Sequence, residues 1–179
     1  NLVHIVHAGL DTGGVALNAH IDTVKPYFPP VIKEGAIIGR GTSDDKGCCV
    51  SIVGALILLK NLYEKTGISL KKPVVSMFVT DEESGGNGSL SVALDRSLAA
   101  IYDTILVVES TEGKLHPANR GAIWYKLTLD GLPKEQLQFA FKAVRALDEC
   151  GALLRSESEH PMFATRPVQT CHGILGSYG

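Results

Sequence analysis

The stretch Gly39-Arg40-Gly41-Thr42-Ser43-Asp44-Asp45-Lys46-Gly47 decides how this chain reads. Three glycines and two adjacent carboxylates sit directly before Gly47 to Lys65, whose middle, Val50 to Leu59, is apolar nearly all round. Negative charge favours a helix N-terminus, Lys60 and Lys65 fall near the far end, and Gly67 can cap it. The pattern predicts a helix buried between layers. Asp44 and Asp45 are then a helix cap and dipole complement or the start of a site, with Arg40 as a pairing partner for either.

Upstream, Val15 to His20 is a mostly apolar run bounded by Gly14 and Asp22, as expected of a strand buried on both faces. Asn1 to Val6 reads as a shorter strand, and Val31 to Gly39 as a hairpin turning at Glu34-Gly35. Downstream, Val74 to Val79 and Ile105 to Val108 are further central strands, separated by a helix over Ser89 to Ala100. Alternating strands and helices predict an α/β fold, a mostly parallel sheet with helices on both faces. In such sheets the ligand site lies beyond the carboxyl ends of the strands. His20, Glu82-Glu83 and Glu109 all fall at those ends.

From Ala122 the character changes. Ile123 to Leu129 alternates like a half-exposed antiparallel strand, and Lys134 to Leu147 places Leu137, Phe141, Val144 and Leu147 on one helix face. The tail from Ser156 is polar until Gly173-Ile174-Leu175. The expected organisation is one domain over 1–121, which holds these sheet-edge clusters, and the beginning of a smaller α+β unit over 122–179.

The 179 residues carry a formal charge of −2, which offers nothing to nucleic acid or an anionic membrane surface. The longest apolar run, Ile52 to Leu59 interrupted by Gly54, falls short of the roughly 18 residues of a membrane span. Cys48, Cys49, Cys150 and Cys171 lack metal-finger spacing, and the adjacent pair reads as small hydrophobes inside a buried helix. Reduced thiols predict a cytoplasmic setting. The first residue is Asn1 rather than Met, so the expectation is a sequence lacking its natural start.

The acidic and histidine clusters carry the chemistry. His20 offers an imidazole nitrogen to a divalent metal, and Asp22, two residues on, points to the same side of an extended chain to orient it. Three consecutive carboxylates, Asp81-Glu82-Glu83, repel one another unless a cation relieves them. Neighbours there point to opposite sides, so one glutamate can bind metal while the other faces water as a general base. Each cluster has a bland reading of its own: a core histidine, a helix cap, a solvated acidic loop. Four clusters at one sheet edge weaken those readings jointly. His4, His7, His116, His160 and His172 read as surface or structural residues. No Gly-x-Ser-x-Gly elbow, phosphate-binding Gly-Lys-Ser/Thr loop or Gly-x-Gly-x-x-Gly fingerprint is present.

Four segments in order carry a resemblance: Ala19-His20-Ile21-Asp22-Thr23-Val24, Gly39 to Gly47, Thr80 to Gly88, and Val108-Glu109-Ser110 followed by Asn119-Arg120-Gly121. With them, residues 15 to 131 resemble the M20 zinc metallopeptidase and deacylase family, which includes acetylornithine deacetylase, succinyl-diaminopimelate desuccinylase, aminoacylase, dipeptidases and glutamate carboxypeptidases. The resemblance implies a zinc-exopeptidase-like fold with a lid or dimerisation domain, through which a homodimer would form. It implies two divalent metal ions, Zn2+ with Co2+ or Mn2+ as substitutes. His20 and Glu109 would hold one, Glu83 the other, and Asp44 would bridge both, with Asp22 beside His20 and Glu82 as the catalytic base. Arg120 would hold a substrate carboxylate.

The implied substrate is a small peptide or N-acyl amino acid, since Glu109 stands where the deacetylase and desuccinylase branches carry glutamate. The family also draws a further histidine from a C-terminal part of its catalytic domain, and another from a turn in the lid. Neither is matched here: Gly131 runs straight into Leu132-Pro133-Lys134. A second expectation follows from that gap, a catalytically degenerate metal-binding relative acting as a binding or scaffold module.

Overall fold

A computed structural model describes residues 1–6, 10–121 and 123–163. They fall into two compact units, divided between Lys114 and Leu115. In the first, β1 (Leu2–Val6), β2 (Gly14–His20), β5 (Val74–Val79) and β6 (Tyr102–Val107) form a sheet in the order β1-β5-β2-β6. β2 runs parallel to both β5 and β6, while β1 is antiparallel to β5 at the edge. The expected mostly parallel α/β sheet is therefore present.

A hairpin of β3 (Val31–Lys33) and β4 (Ala36–Ile38) turns at Glu34 and Gly35, both at positive φ, as the commonest two-residue hairpin turn requires. α1 (Lys46–Thr66) connects β2 to β5, and α2 (Asn87–Ala93) and α3 (Arg96–Ala99) connect β5 to β6. The single helix expected over Ser89 to Ala100 is thus two. The break falls at Leu94-Asp95, where the Asp95 carboxylate accepts the backbone N–H groups of Ser97 and Leu98 and starts a new helix. An aspartate caps a helix start better than it continues an interior.

The core sits under β5: Ala16, Val75, Met77 and Val79 pack with Val92 of α2, joined by Val3, Ile5, Leu98 and Tyr102. Gly88 in α2 permits this approach, because a Cβ there would lie 2.1 Å from the Thr80 carbonyl oxygen.

Helix α1 departs from expectation. It packs against β2, yet of its apolar residues only Ile52 is buried, while Val50, Ile57 and Leu58 are exposed. Burial between two layers needs a second layer, and among the described residues one side of the helix has no such cover. Cys48 and Cys49 are partly buried rather than enclosed. Although its longest unbroken apolar run is short, α1 as a whole is long and apolar enough, by length and composition, to cross a membrane. A single such helix is weak ground for a span, and this one is the crossover of a β-α-β unit.

In the second unit α4 (Pro133–Glu157) begins with proline in its first turn and runs ten residues past the expected end at Leu147. Its later turns hold good helix formers and an Arg145–Glu149 pair at 3.0 Å. The strand expected over Ile123 to Leu129 is absent: these residues are irregular and exposed. Alternation alone does not make a strand, which also needs the hydrogen-bond ladder of a neighbouring strand. Gly173-Ile174-Leu175, His7, Cys171 and His172 lie outside the described residues.

Candidate metal centre

Because β2, β5 and β6 are parallel, their carboxyl ends share one edge, and the chain delivers a different acidic cluster at each. The ladder continues briefly past the strand ends, with Ile21 N–H donating to Val79 O at 2.9 Å and Val108 N–H to Asn18 O at 2.7 Å. His20, the last residue of β2, is 2% exposed and stands at the centre. Its Nε2 lies 2.8 Å from Asp44 Oδ1, 3.7 Å from Glu109 Oε1 and 3.9 Å from Glu82 Oε2. Its Nδ1 faces Asp22, 3.1 Å from the backbone oxygen and 3.4 Å from Oδ1.

Asp22 has a second task. Its carboxylate accepts the backbone N–H groups of Glu82 at 3.3 Å and Glu83 at 3.2 Å. The loop after β5 is thereby pinned beside His20. Asp81 takes a left-handed φ of 67° and accepts from Asn87 Nδ2 at 2.6 Å, so it shapes the turn and leaves the site to its two neighbours. Glu83 Oε1 accepts the Val24 N–H at 3.2 Å.

The Gly39 to Gly47 turn places Asp44 by close packing. Gly41 has φ 78°, and a Cβ there would meet Thr23 Cγ2 at 2.2 Å. Lys46 Nζ donates to Ile21 O at 3.0 Å, and Ser110 Oγ donates to Ser43 O at 2.9 Å, tying the turn to β2 and β6. Arg40 pairs with neither aspartate. It donates to Pro26 O at 3.1 Å and lies over the Phe28 ring, because the turn carries it away from the sheet edge.

Asp45 is the residue that sequence reasoning undervalued. It stands at the N-cap of α1 but makes no side-chain cap hydrogen bond. Its carboxylate instead turns inward, fully buried, where Oδ2 accepts the His20 N–H at 3.1 Å. Oδ1 is buried with no hydrogen-bond partner among the described residues. The doublet Asp44-Asp45 was the available signal, since one aspartate suffices to start a helix.

Crowded carboxylates shift the titration of the site. Burial alone would lower His20, but the Asp44 hydrogen bond and the charges of Glu109, Asp45 and Glu82 outweigh it and raise its pKa. Burial, then Asp45, raises Glu109, with Asp44 and Glu82 adding to the effect against His20. Burial would raise Asp22, yet the N–H groups of Glu83 and Glu82 hold it below its ordinary value. Burial and then Asp45 push the Cys48 thiol up to about 12, which keeps it unreactive.

The donor set fits divalent cations. His20, Asp44 and Glu83 bring ligand atoms within 4.8 Å of one another, and so do His20, Asp45 and Glu109. Mixed imidazole and carboxylate donors suit zinc and its neighbours, and a buried carboxylate oxygen with no partner is relieved by a cation. His20 and Glu109 line a cleft of about 260 Å³, together with Met77, Val92 and Val107. Arg120 belongs to the second unit, where its guanidinium lies 4.5 Å from the Phe163 ring centroid.

A histidine ringed by carboxylates at the carboxyl edge of a mostly parallel sheet defines an α/β protein with a group of side chains that could hold a cation. The family model of peptidase family M20/M25/M40 matches residues 16–151, and the chain belongs to that family. A probable carboxypeptidase of Arthroderma otae is 32% identical over 130 residues, covering 67% of this chain and 27% of that protein. An uncharacterised metallohydrolase of Methanocaldococcus jannaschii is 32% identical over 148 residues, covering 73% of this chain and 34% of its own length. A peptidase M20 domain-containing protein of Schizosaccharomyces pombe is 33% identical over 109 residues. The chain thus spans about a quarter to a third of these relatives.

Proposed function

We propose that the protein of which this chain forms part is a dinuclear zinc hydrolase that cleaves the amide bond of a small peptide or N-acyl amino acid. The observation that carries the reading is His20 Nε2 facing Asp44, Glu82 and Glu109 within 3.9 Å. Bound cations would lower the pKa of a water and polarise the scissile carbonyl. His20, Asp44, Glu83 and Glu109 are the residues to hold them, with Asp44 between the two.

Glu82 is the proposed general base. Its side chain is half exposed at the rim, free of the backbone contact that engages Glu83, and so can take a proton from water and return it to the leaving amine. Asp22 holds His20 by Nδ1, leaving Nε2 for metal. Arg120 is proposed to hold the substrate carboxylate.

Residues 1–121 are read as the catalytic domain and 122–179 as the beginning of a lid through which a homodimer forms, in a cytoplasmic setting. We further infer that helices cover both sheet faces. The β2-to-β5 and β5-to-β6 connections run in opposite directions along the sheet, so right-handed crossovers place α1 and α2–α3 on opposite sides.

The test is hydrolysis of dipeptides and N-acyl amino acids with Zn2+, Co2+ or Mn2+ restored after chelation. Metal-dependent release of the amine supports the reading. Tight metal binding with no hydrolysis of any such substrate would favour the degenerate binding module instead.

A further inference from the structure

Asp45 makes no side-chain cap hydrogen bond to its helix, and burying a carboxylate with one oxygen unpartnered is costly. No ion pair to Asp45 forms among the described residues, and the adjacent Lys46 is engaged with Ile21 O. The Asp45 carboxylate accepts from the main chain of His20, through Oδ2 at 3.1 Å, and has the Cys48 thiol beside it, a group too weakly polar to compensate a buried charge. Its carboxylate also belongs to the group with His20 and Glu109 whose ligand atoms lie within 4.8 Å of one another.

We propose that Asp45 is a positioning residue of the metal centre: Oδ2 fixes the His20 backbone at the end of β2, and the unpartnered Oδ1 supplies buried negative charge that favours a divalent cation between His20 and Glu109. This rests on the metal-centre reading above. Two consequences of opposite sign follow. With metal bound, the Asp45 charge is compensated. Without metal, it is a buried charge with no cation paired to it among the described residues, and it destabilises the fold.

Asp45→Asn separates these effects, because the amide keeps the shape and an oxygen to accept the His20 N–H while removing the charge. Zn2+ affinity is measured by competition with a chromophoric chelator, and thermal unfolding is followed in metal-free protein. The expected result is a 10- to 100-fold weaker Zn2+ affinity, the range of a lost outer partner of a metal ligand. The metal-free variant should melt at the wild-type temperature or above. Affinity within about twofold of wild type would overturn the proposal. A metal-free variant that melts lower, or fails to fold, would also overturn it, by showing that Asp45 serves packing. Wild-type protein that binds no Zn2+ would remove the metal-centre reading itself, and is told apart from those outcomes by the wild-type titration alone.

Discussion

Asp22 and Glu83 are joined by a hydrogen bond, Glu83 N–H donating to Asp22 Oδ2 at 3.2 Å, across 61 residues of sequence. Since Asp22 Oδ1 also faces His20 Nδ1 at 3.4 Å, one carboxylate ties the loop after β5 to the histidine that ends β2. Asp22→Ala should therefore weaken Zn2+ binding by about 10- to 100-fold. It should also speed amide exchange at Glu82 and Glu83. Wild-type exchange at both amides would show that Asp22 does not hold the loop.

Glu82→Gln should behave differently. Glu82 lies 3.9 Å from His20 Nε2 with a half-exposed side chain, close enough to reach water in the site. Turnover should fall by about 100- to 10,000-fold while Zn2+ affinity stays nearly unchanged. Near-normal turnover in this variant would remove Glu82 as the base.

The raised pKa of His20 sets the sign of a pH effect. In metal-free protein a raised folded value contributes stability that is full below the unfolded value, about 6.5, and lost as pH rises through the folded value. Metal ligation needs the neutral imidazole, so Zn2+ affinity should climb as pH rises toward the folded value, by up to about tenfold per unit, and level off above it. Chelator competition at several pH values reads the slope. An affinity flat from acid to neutral pH would mean that His20 is not a ligand.

Much of this was legible in the sequence because it rests on local rules. The apolar runs ending at His20, Val79 and Val108 mark strands whose parallel pairing brings their ends together. Other features depend on what packs against what. The apolar belt of α1 signals burial, but residues such as Leu58 remain exposed because burial requires a covering partner. Ile123 to Leu129 alternates in sequence yet is irregular in the structure, because alternation does not by itself supply a hydrogen-bond ladder. Asp45 looks like a cap until its rotamer is known, and only the structure shows it turned toward His20. Asp95 is the converse, a cap inside what reads as one helix.

Gly88→Ala tests how closely α2 must approach β5. Alanine should help a helix by about 1 kcal/mol over glycine. The added Cβ would meet backbone at 2.1 Å, and overpacking of that kind costs about 1–3 kcal/mol. The clash should win, lowering the melting temperature by a few degrees. An unchanged or higher melting temperature would show that α2 can shift freely.

The measurement that bears most directly on the account is metal stoichiometry in wild-type protein and Asp44→Ala. Asp44 meets His20 Nε2 at 2.8 Å and shares a ligand group with Glu83, so it stands at the centre of the proposed site. Of His20, Asp44, Glu83 and Glu109, the bridging arrangement gives one metal three protein ligands and the other two, and a hydrolytic zinc site uses three. Residues 1–179 should therefore bind about one Zn2+ tightly, and Asp44→Ala should bind none with comparable affinity. Zn2+ bound by Asp44→Ala at wild-type stoichiometry and affinity would contradict the account.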